Sequence, residues 1–573
     1  MKKAAVAFQA LAFSFVFVLV RGYEFGVRTQ LSFLPVIENK MGVIGLGNDF
    51  NLLTHRFYHI NFSIVSAFFS NFLGLPLFFF LGYLFTAVLF YLGIDKMIRV
   101  LFGDRKISVL LLLLLLLWGS QGLERNHFWY SGTFEPYFLS YALAIFSVGF
   151  FLEDKPLFSA VFAALCFAVH FQMGLILAAV LLVTQLVCVQ KGEFRSFLKT
   201  LFLYTVLFAP VFLEHAPVLF KAAKGSADFM IAYEKFRMPH HFLFDPCRFF
   251  IFLGIISVGI FSFVFIQRGR FLREEILEKH KKALVLNLVI FSLCLLQYAD
   301  FYFFKTGFLT EIQFLRVSTF IHFFGMVYLS LLFLVLARSR IFSLNLLVVF
   351  LCYGLGPWIF STGFGYQKYI FVILAPLLVF VLGVLKRMEQ GRFKKDVCIL
   401  FIPLLICLGF QIYLGFSLKK SHFVYDARRN VNDPWTRLCR WVKTNTEKEA
   451  LFITPPYQEG FIFYAHRPMI AEFGVNPHLP EEIVEWKNRL RDLAGGDPLE
   501  NCSGFDCSEN LEKDFNRLSA DQVKALSRKY KASYFVTESK TSFPFVLVYG
   551  NKSFFLYDVR RVTSAGPVVM SSS

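Results

Sequence analysis

The residues of this chain that could do chemistry are few, and they stand out against an apolar background. Arg237, His240 and His241 fall together in YEKFRMPHHFLFDP, with Asp245 close behind. Gln313 and Arg316 follow Lys305, while His127 and Glu135 lie among aromatics in GSQGLERNHFWYSGTFEPY. Asp49 and Glu24 belong to a polar stretch near the start of the chain. Guanidinium offers planar, permanently charged donors and imidazole adds another, so the Arg237 group reads as phosphate recognition. Metal binding by the His240-His241 pair is disfavoured, because adjacent residues on a helix point about 100° apart.

The elements that must position these groups are membrane spans. Apolar blocks recur at Ala4 to Val20, Leu75 to Ile94, Ile107 to Trp118, Phe138 to Leu152, Leu157 to Val169, Met173 to Val189 and Phe197 to Leu213. They continue at Phe249 to Ile266, Ala283 to Gln297, Val317 to Leu336, Ile341 to Phe360, Ile370 to Leu385 and Val397 to Phe416. The expectation is a polytopic α-helical membrane protein of about 13 transmembrane helices. With the amino terminus inside, 23 of the 36 basic residues before residue 418 fall in the inner gaps, as the retention of Lys and Arg on the cytoplasmic side requires. The stretch 21–59 then becomes a long first outer loop, and residues 418–573 follow the last span on the outer side. The net charge of +18 points to anionic lipid headgroups rather than nucleic acid, because the excess lies in the membrane part. Met1-Lys2-Lys3 precedes an apolar segment with no small-x-small cleavage site, so that segment is expected to stay as the first span.

Under this topology the candidate residues gather at the outer ends of spans. Each has a bland role available: Arg316 reaching a membrane surface, Glu135 capping the helix that Pro136 begins, His170 satisfying a backbone carbonyl. Their accumulation on one side implies a wet cavity or an ion-pair network. Six cysteines sit singly in apolar blocks, where Cys acts as a small hydrophobe, and only Cys502 and Cys507 in NCSGFDC are spaced to pair with each other.

The segment 418–573 reads as an α/β domain. Pro434 to Val442 has helical spacing, Ala450 to Thr454 is strand-like, and Gly460 to Tyr464 is a second strand-like run. Ser519 opens a helix that leads to a strand over Ala532 to Thr537, and Gly550-Asn551 joins two more strands in a hairpin. No glycine-rich phosphate loop and no GxSxG is present.

This layout resembles the GT-C class of membrane glycosyltransferases: many spans, an acid-bearing first outer loop, and an outer domain at the carboxy terminus. The segment WTRLCRWVKTNTEKEALFITPPYQEGFIFYAHRP, Trp435 to Pro468, looks like the start of the outer domain of oligosaccharyltransferase-type proteins. Where that family carries W-W-D-Y-G, this chain has Thr454 to Gly460, so the acceptor-sequon motif is absent. Gln30 to Pro35, Asn48-Asp49, Asn126-His127 and Arg237 to His241 also look like a group of bacterial polytopic membrane proteins. The resemblance implies a polyprenyl-phosphate-linked sugar donor, inversion at the anomeric carbon, and a bacterial inner membrane with the outer domain periplasmic. It implies Asp49 first and Glu24 second as catalytic base, with Arg237, His240, His241, Gln313, Arg316, His127 and Glu135 in substrate binding. Neither acid sits in the family's usual paired-acid motif, so no divalent metal or other cofactor is implied. A non-catalytic scaffold or lipid-binding component of cell-envelope assembly is the first alternative and a transporter the second. Transporters concentrate charge near the membrane midplane, whereas here it lies at the ends of spans.

Overall fold

The computed structural model describes residues 2–46, 49–56, 59–103, 132–189, 194–222, 231–246, 274–305, 312–337, 423–430, 433–477, 479–496, 506–538 and 543–562, with short stretches and single positions between them. His127, most of the expected spans 107–118 and 249–266, and the three between 341 and 416 lie outside the described residues.

The chain is a helical membrane protein. Among the described residues five helices are long and apolar enough to cross a membrane: Ala4–Arg21, Leu75–Phe102, Phe171–Cys188, Phe194–Ala216 and Ile276–Phe304. Shorter apolar helices run Ile60–Leu73, Pro136–Leu152, Pro156–Val169 and Phe314–Tyr328. Proline opens two of these at Pro136 and Pro156, where its missing N–H costs nothing and its fixed φ suits the first turn. The long helix α1, Lys2–Arg21, packs on Leu75–Phe102 through Phe17, whose ring lies 5.4 Å from Tyr83 and 5.6 Å from Phe138.

The turns sort into two ends. At one end Lys96 binds Glu153 and Lys282 binds Asp154, so the 153–155 turn is tied to two neighbouring helices. The opposite end collects Arg21, His59, Glu135, His170 and Arg316. Helix Ile60–Leu73 does not change ends, since the Tyr23 hydroxyl donates to the Pro76 carbonyl and holds the start of the next helix beside the finish of α1.

The stretch after α1 folds against the carboxy-terminal segment. Strand β1, Tyr23–Glu24, pairs in parallel with β2, Phe423–Val424. Helix α2, Gln30–Lys40, and the short α3, Phe50–Thr54, continue the loop. In the carboxy-terminal segment β3, Phe452–Ile453, runs parallel to β4, Tyr534–Thr537. The strands β5, Phe545–Gly550, and β6, Phe555–Val562, complete a sheet of order β3-β4-β6-β5 with antiparallel pairing on that side. The expected helix after Ser519 forms over Ala520–Tyr530, with a Ser519/Gln522 capping box. One expectation fails: Gly460 to Tyr464 is no strand. Gly460 at φ 81 turns the chain into a helix over Phe461–Ala465, which buries Phe461, Ile462 and Phe463.

The first loop completes the core of this α/β unit. Val36, Ile44, Leu46 and Leu52 join Trp435, Leu438 and Phe461 in one buried cluster. Arg428 donates to Glu38 at 2.8 Å and lies over the Phe25 and Phe463 rings, while Glu38 is 2% exposed. Gly26, at φ +79, approaches so closely that a Cβ would meet Phe463 at 2.8 Å. Removing Arg428 would take the closest cationic partner from the buried Glu38 carboxylate, leaving His466 at 3.4 Å. Arg428→Ala is expected to lower unfolding stability by about 3 kcal/mol, read by tryptophan fluorescence in urea; a loss below about 1 kcal/mol would contradict this account of the junction.

Candidate functional site

Arg28 and Glu24 are the first charged residues past α1, and their spacing lets them pair at 3.3 Å. Glu135 lies in the same electrostatic neighbourhood, with Arg28 acting on its carboxyl. It occupies the N-cap position of Pro136–Leu152 but does not cap that helix; it accepts instead from the Thr133 hydroxyl at 2.7 Å. Burial pushes its carboxyl up to about 7, against smaller opposing effects of Thr133 and Arg28. The loop Thr454 to Gly460 supplies Glu459, also raised by burial, whose carboxyl feels both Arg237 and Arg28. Arg237 donates to the Gly474 carbonyl at 3.1 Å and stacks over Phe473, so its guanidinium is held between the two halves of the chain.

On the membrane side of Arg237 the groups are cationic or imidazole. His241 stands in the field of both Arg316 and Arg237, and burial holds it well below its ordinary value. Arg316 donates to Gln313 at 2.6 Å, and Gln313 donates to the Tyr233 hydroxyl at 2.7 Å. Gln313 is fully buried at φ 62, a left-handed conformation that turns the backbone so that both side chains face one place. The His59 and His170 rings lie 4.7 Å apart, and Arg316 and His215 act on His59 as well. His170 caps Phe171–Cys188 by accepting from Met173 N–H at 3.3 Å.

The structure therefore places Gln313 beside Arg316, His241 in the field of Arg316 and Arg237, Glu459 in that of Arg237 and Arg28, and Glu135 in that of Arg28. His240 takes part in the 3-10 turn Pro239–His241, whose backbone alone is described. Sequence reading did not single out Arg28, Glu459, His59 or His215. The four-residue spacing of Glu24 and Arg28 was a usable signal. For Glu459 and His215 only the three-dimensional approach of distant segments reveals the neighbourhood.

Asp49, the first acid expected as a base, lies 5% exposed at the junction of the first loop with the carboxy-terminal segment. It caps α3, one carboxylate oxygen accepting from Leu52 N–H at 2.9 Å and the other from Met469 N–H at 3.3 Å. Next to it the Asn51 amide donates to the Met469 carbonyl at 3.1 Å. These contacts dock the loop on the carboxy-terminal segment. Glu472 lies close by, buried and raised well above the usual range by burial, then by Glu459 and Asp49. Asn51 and Glu472 line a cavity of about 10 Å³, a size that one water fills.

A divalent ion needs several converging donors, and among the described residues no group of three His, Cys, Asp or Glu side chains is placed to hold one.

Residues 433–493 match a protein family described as Domain of unknown function (DUF6798). No curated protein matches the chain. Among solved structures it is similar to the archaeal oligosaccharyltransferase AglB from Archaeoglobus fulgidus in complex with an inhibitory peptide and a dolichol-phosphate, at TM-score 0.45 and 13% identity over 94% of this chain and 70% of that one. It is also similar to the Archaeoglobus fulgidus oligosaccharyltransferase in the apo form, at TM-score 0.47 and 12% identity over 93% and 69% of the two chains.

Burial pushes Asp49 up to about 6, opposed by the Leu52 and Met469 amides and by Asn51. The folded form then holds a proton that the unfolded chain has released, so stability falls as pH rises from about 4 to about 6 and levels above that. Asp49→Asn is expected to remove up to about 1.4 kcal/mol per pH unit of that slope, measured by chemical unfolding at stepped pH. Equal slopes in wild type and variant would contradict the assignment.

Proposed function

We propose that the chain is an integral membrane glycosyltransferase of GT-C type that takes a polyprenyl-phosphate-linked sugar donor at the outer membrane face. In this reading the protein has about 13 spans over residues 1–417, and 418–573 form an extracytoplasmic α/β domain, periplasmic in a bacterial inner membrane. The observation that carries it is the shared neighbourhood of Arg237, His241 and Arg316 at the helix ends, joined through Glu459 and Arg28 to Glu135. Such a row pairs anion-binding groups with a carboxyl that titrates near neutrality.

The donor phosphate lies against Arg237, His241 and Arg316, with Gln313 fixing Arg316. The acceptor attacks the anomeric carbon as the bond from that carbon to the phosphate oxygen breaks. The electron pair leaves on the polyprenyl phosphate, whose charge the guanidiniums neutralise. Glu135 takes the proton from the acceptor. Glu24 holds Arg28 in place between Glu135 and Glu459, and Asp49 keeps the first loop docked. His240 and His127 belong to the donor-binding group by their places in the sequence.

The departure from W-W-D-Y-G at Thr454 to Gly460 favours an acceptor other than a protein sequon. The engagement of Asp49 by two backbone amides favours the second reading, a lipid-phosphate-binding component of cell-envelope assembly without transfer activity.

Native mass spectrometry of the detergent-purified protein separates these from transport. Wild type is expected to carry a polyprenyl phosphate or its sugar conjugate, and Arg237→Ala/His241→Ala to lose it. A folded wild type without bound lipid would overturn the donor site. Where transfer is measurable, its rate is expected to climb as pH rises through about 7, because Glu135 acts ionised, and Glu135→Gln is expected to cost 100-fold or more, with about 10²–10⁴ typical of a lost general base. A lipid-bound Glu135→Gln enzyme with unchanged rate would leave the base elsewhere.

A further inference from the structure

Arg237 is held by a loop some 265 residues further along the chain, as the separation of Ser503 and Lys235 by 268 positions shows. The segment Ile231–Arg237 forms a π-helical turn, and Phe236 inserts between Phe473 and Trp486 with ring centroids 5.7 Å from each. The two carbonyls before Arg237 are then engaged in succession. The Ser503 hydroxyl donates to the Lys235 carbonyl at 2.8 Å, and the Gly504 N–H donates to the Phe236 carbonyl at 2.7 Å. The Phe236 carbonyl belongs to the peptide plane that also holds the nitrogen and Cα of Arg237, so fixing it anchors the backbone from which the guanidinium reaches the Gly474 carbonyl and the Phe473 ring.

The donors come from a loop closed on itself, because Cys502 and Cys507 are joined in a disulfide with their Cα atoms 5.1 Å apart. Gly504 sits in it at φ +62, where a Cβ would lie 2.9 Å from the Pro239 ring. The loop thus reaches both the residue before Arg237 and the proline that starts the His240-His241 turn. An open loop must be ordered against its backbone entropy, part of which the closed one has lost beforehand.

We infer that the Cys502–Cys507 loop is the positioning element for Arg237, and that the anion-binding row is complete only while this disulfide is closed. The inference rests on the donor-site reading above. It makes lipid-phosphate binding sensitive to thiols. A dithiol such as dithiothreitol attacks one sulfur, forms a mixed disulfide, and leaves as its own cyclic disulfide. Cys502 and Cys507 end as two thiols, having taken up the two electrons and two protons that the dithiol gives up.

The test is a double-mutant cycle in detergent with a polyprenyl phosphate as probe. Affinity is measured for wild type, Arg237→Ala, Cys502→Ser/Cys507→Ser and the triple variant, with thermal unfolding recorded for each. Arg237→Ala and the cysteine variant are each expected to bind about tenfold more weakly, and the triple variant no more weakly than Arg237→Ala alone. A loss that acted only through general stability would add to that of Arg237→Ala. Arg316→Ala in the cysteine variant is expected to add its full loss, and dithiothreitol to weaken wild type but not the cysteine variant. Wild-type affinity in the cysteine variant, or additive losses in the triple, would overturn the inference. Arg237→Ala binding as wild type would instead overturn the donor site. Gly504→Ala keeps the disulfide and displaces the loop from Pro239, so it is expected to weaken binding in a protein that folds even where the cysteine variant does not; unchanged affinity there also overturns the inference.

Discussion

The docking of the first loop into the carboxy-terminal unit is the constraint on which the rest of this structure depends. Glu38, Asp49 and Asn51 are almost fully buried at that junction, and each has a partner in the carboxy-terminal segment. Arg428 answers Glu38, and the Met469 backbone answers both Asp49 and Asn51. A buried carboxylate is costly unless paired, so these contacts hold the two segments in one register more strictly than apolar packing would. The apolar side supports the same register, with Leu52 and Val36 filling the cluster around Trp435 and Phe461.

That register puts Glu459 in the field of Arg28, and the segment 231–241 brings Arg237 to act on the same carboxyl. The charged row is thus assembled from five separate parts of the sequence at a seam between apolar helices and an α/β unit. Desolvation raises the carboxyls and lowers His241 there, while the arginines keep their charge. A seam of this kind strengthens each electrostatic contact and leaves little freedom for one member to move without its neighbours.

Much of this was legible in the sequence. Apolar length marked the five long helices among the described residues but passed over Ile60–Leu73, while Ser519 and the Gly550-Asn551 pair marked a helix start and a hairpin through local chemistry that needs no tertiary context. The Arg237, His241 and Arg316 grouping was legible because polar residues at span ends must find company. Asp49 illustrates an ambiguity with an equally physical reason: an acid before a helix suits an N-cap as well as a base, and the approach of Met469 has no local trace in the sequence. The run Gly460 to Tyr464 has strand composition, yet tertiary burial on one side and a left-handed glycine made it a helix. The neighbourhood of Glu459 and Arg28 spans more than 400 positions and left no local trace.

The most direct test of the central claim is an experimental structure of the full chain in a lipid nanodisc with a polyprenyl phosphate added. The account predicts phosphate density between Arg237, His241 and Arg316, with the Glu135 carboxyl facing the same space. Phosphate density elsewhere, with Arg237 and Arg316 unchanged from the lipid-free state, would contradict it.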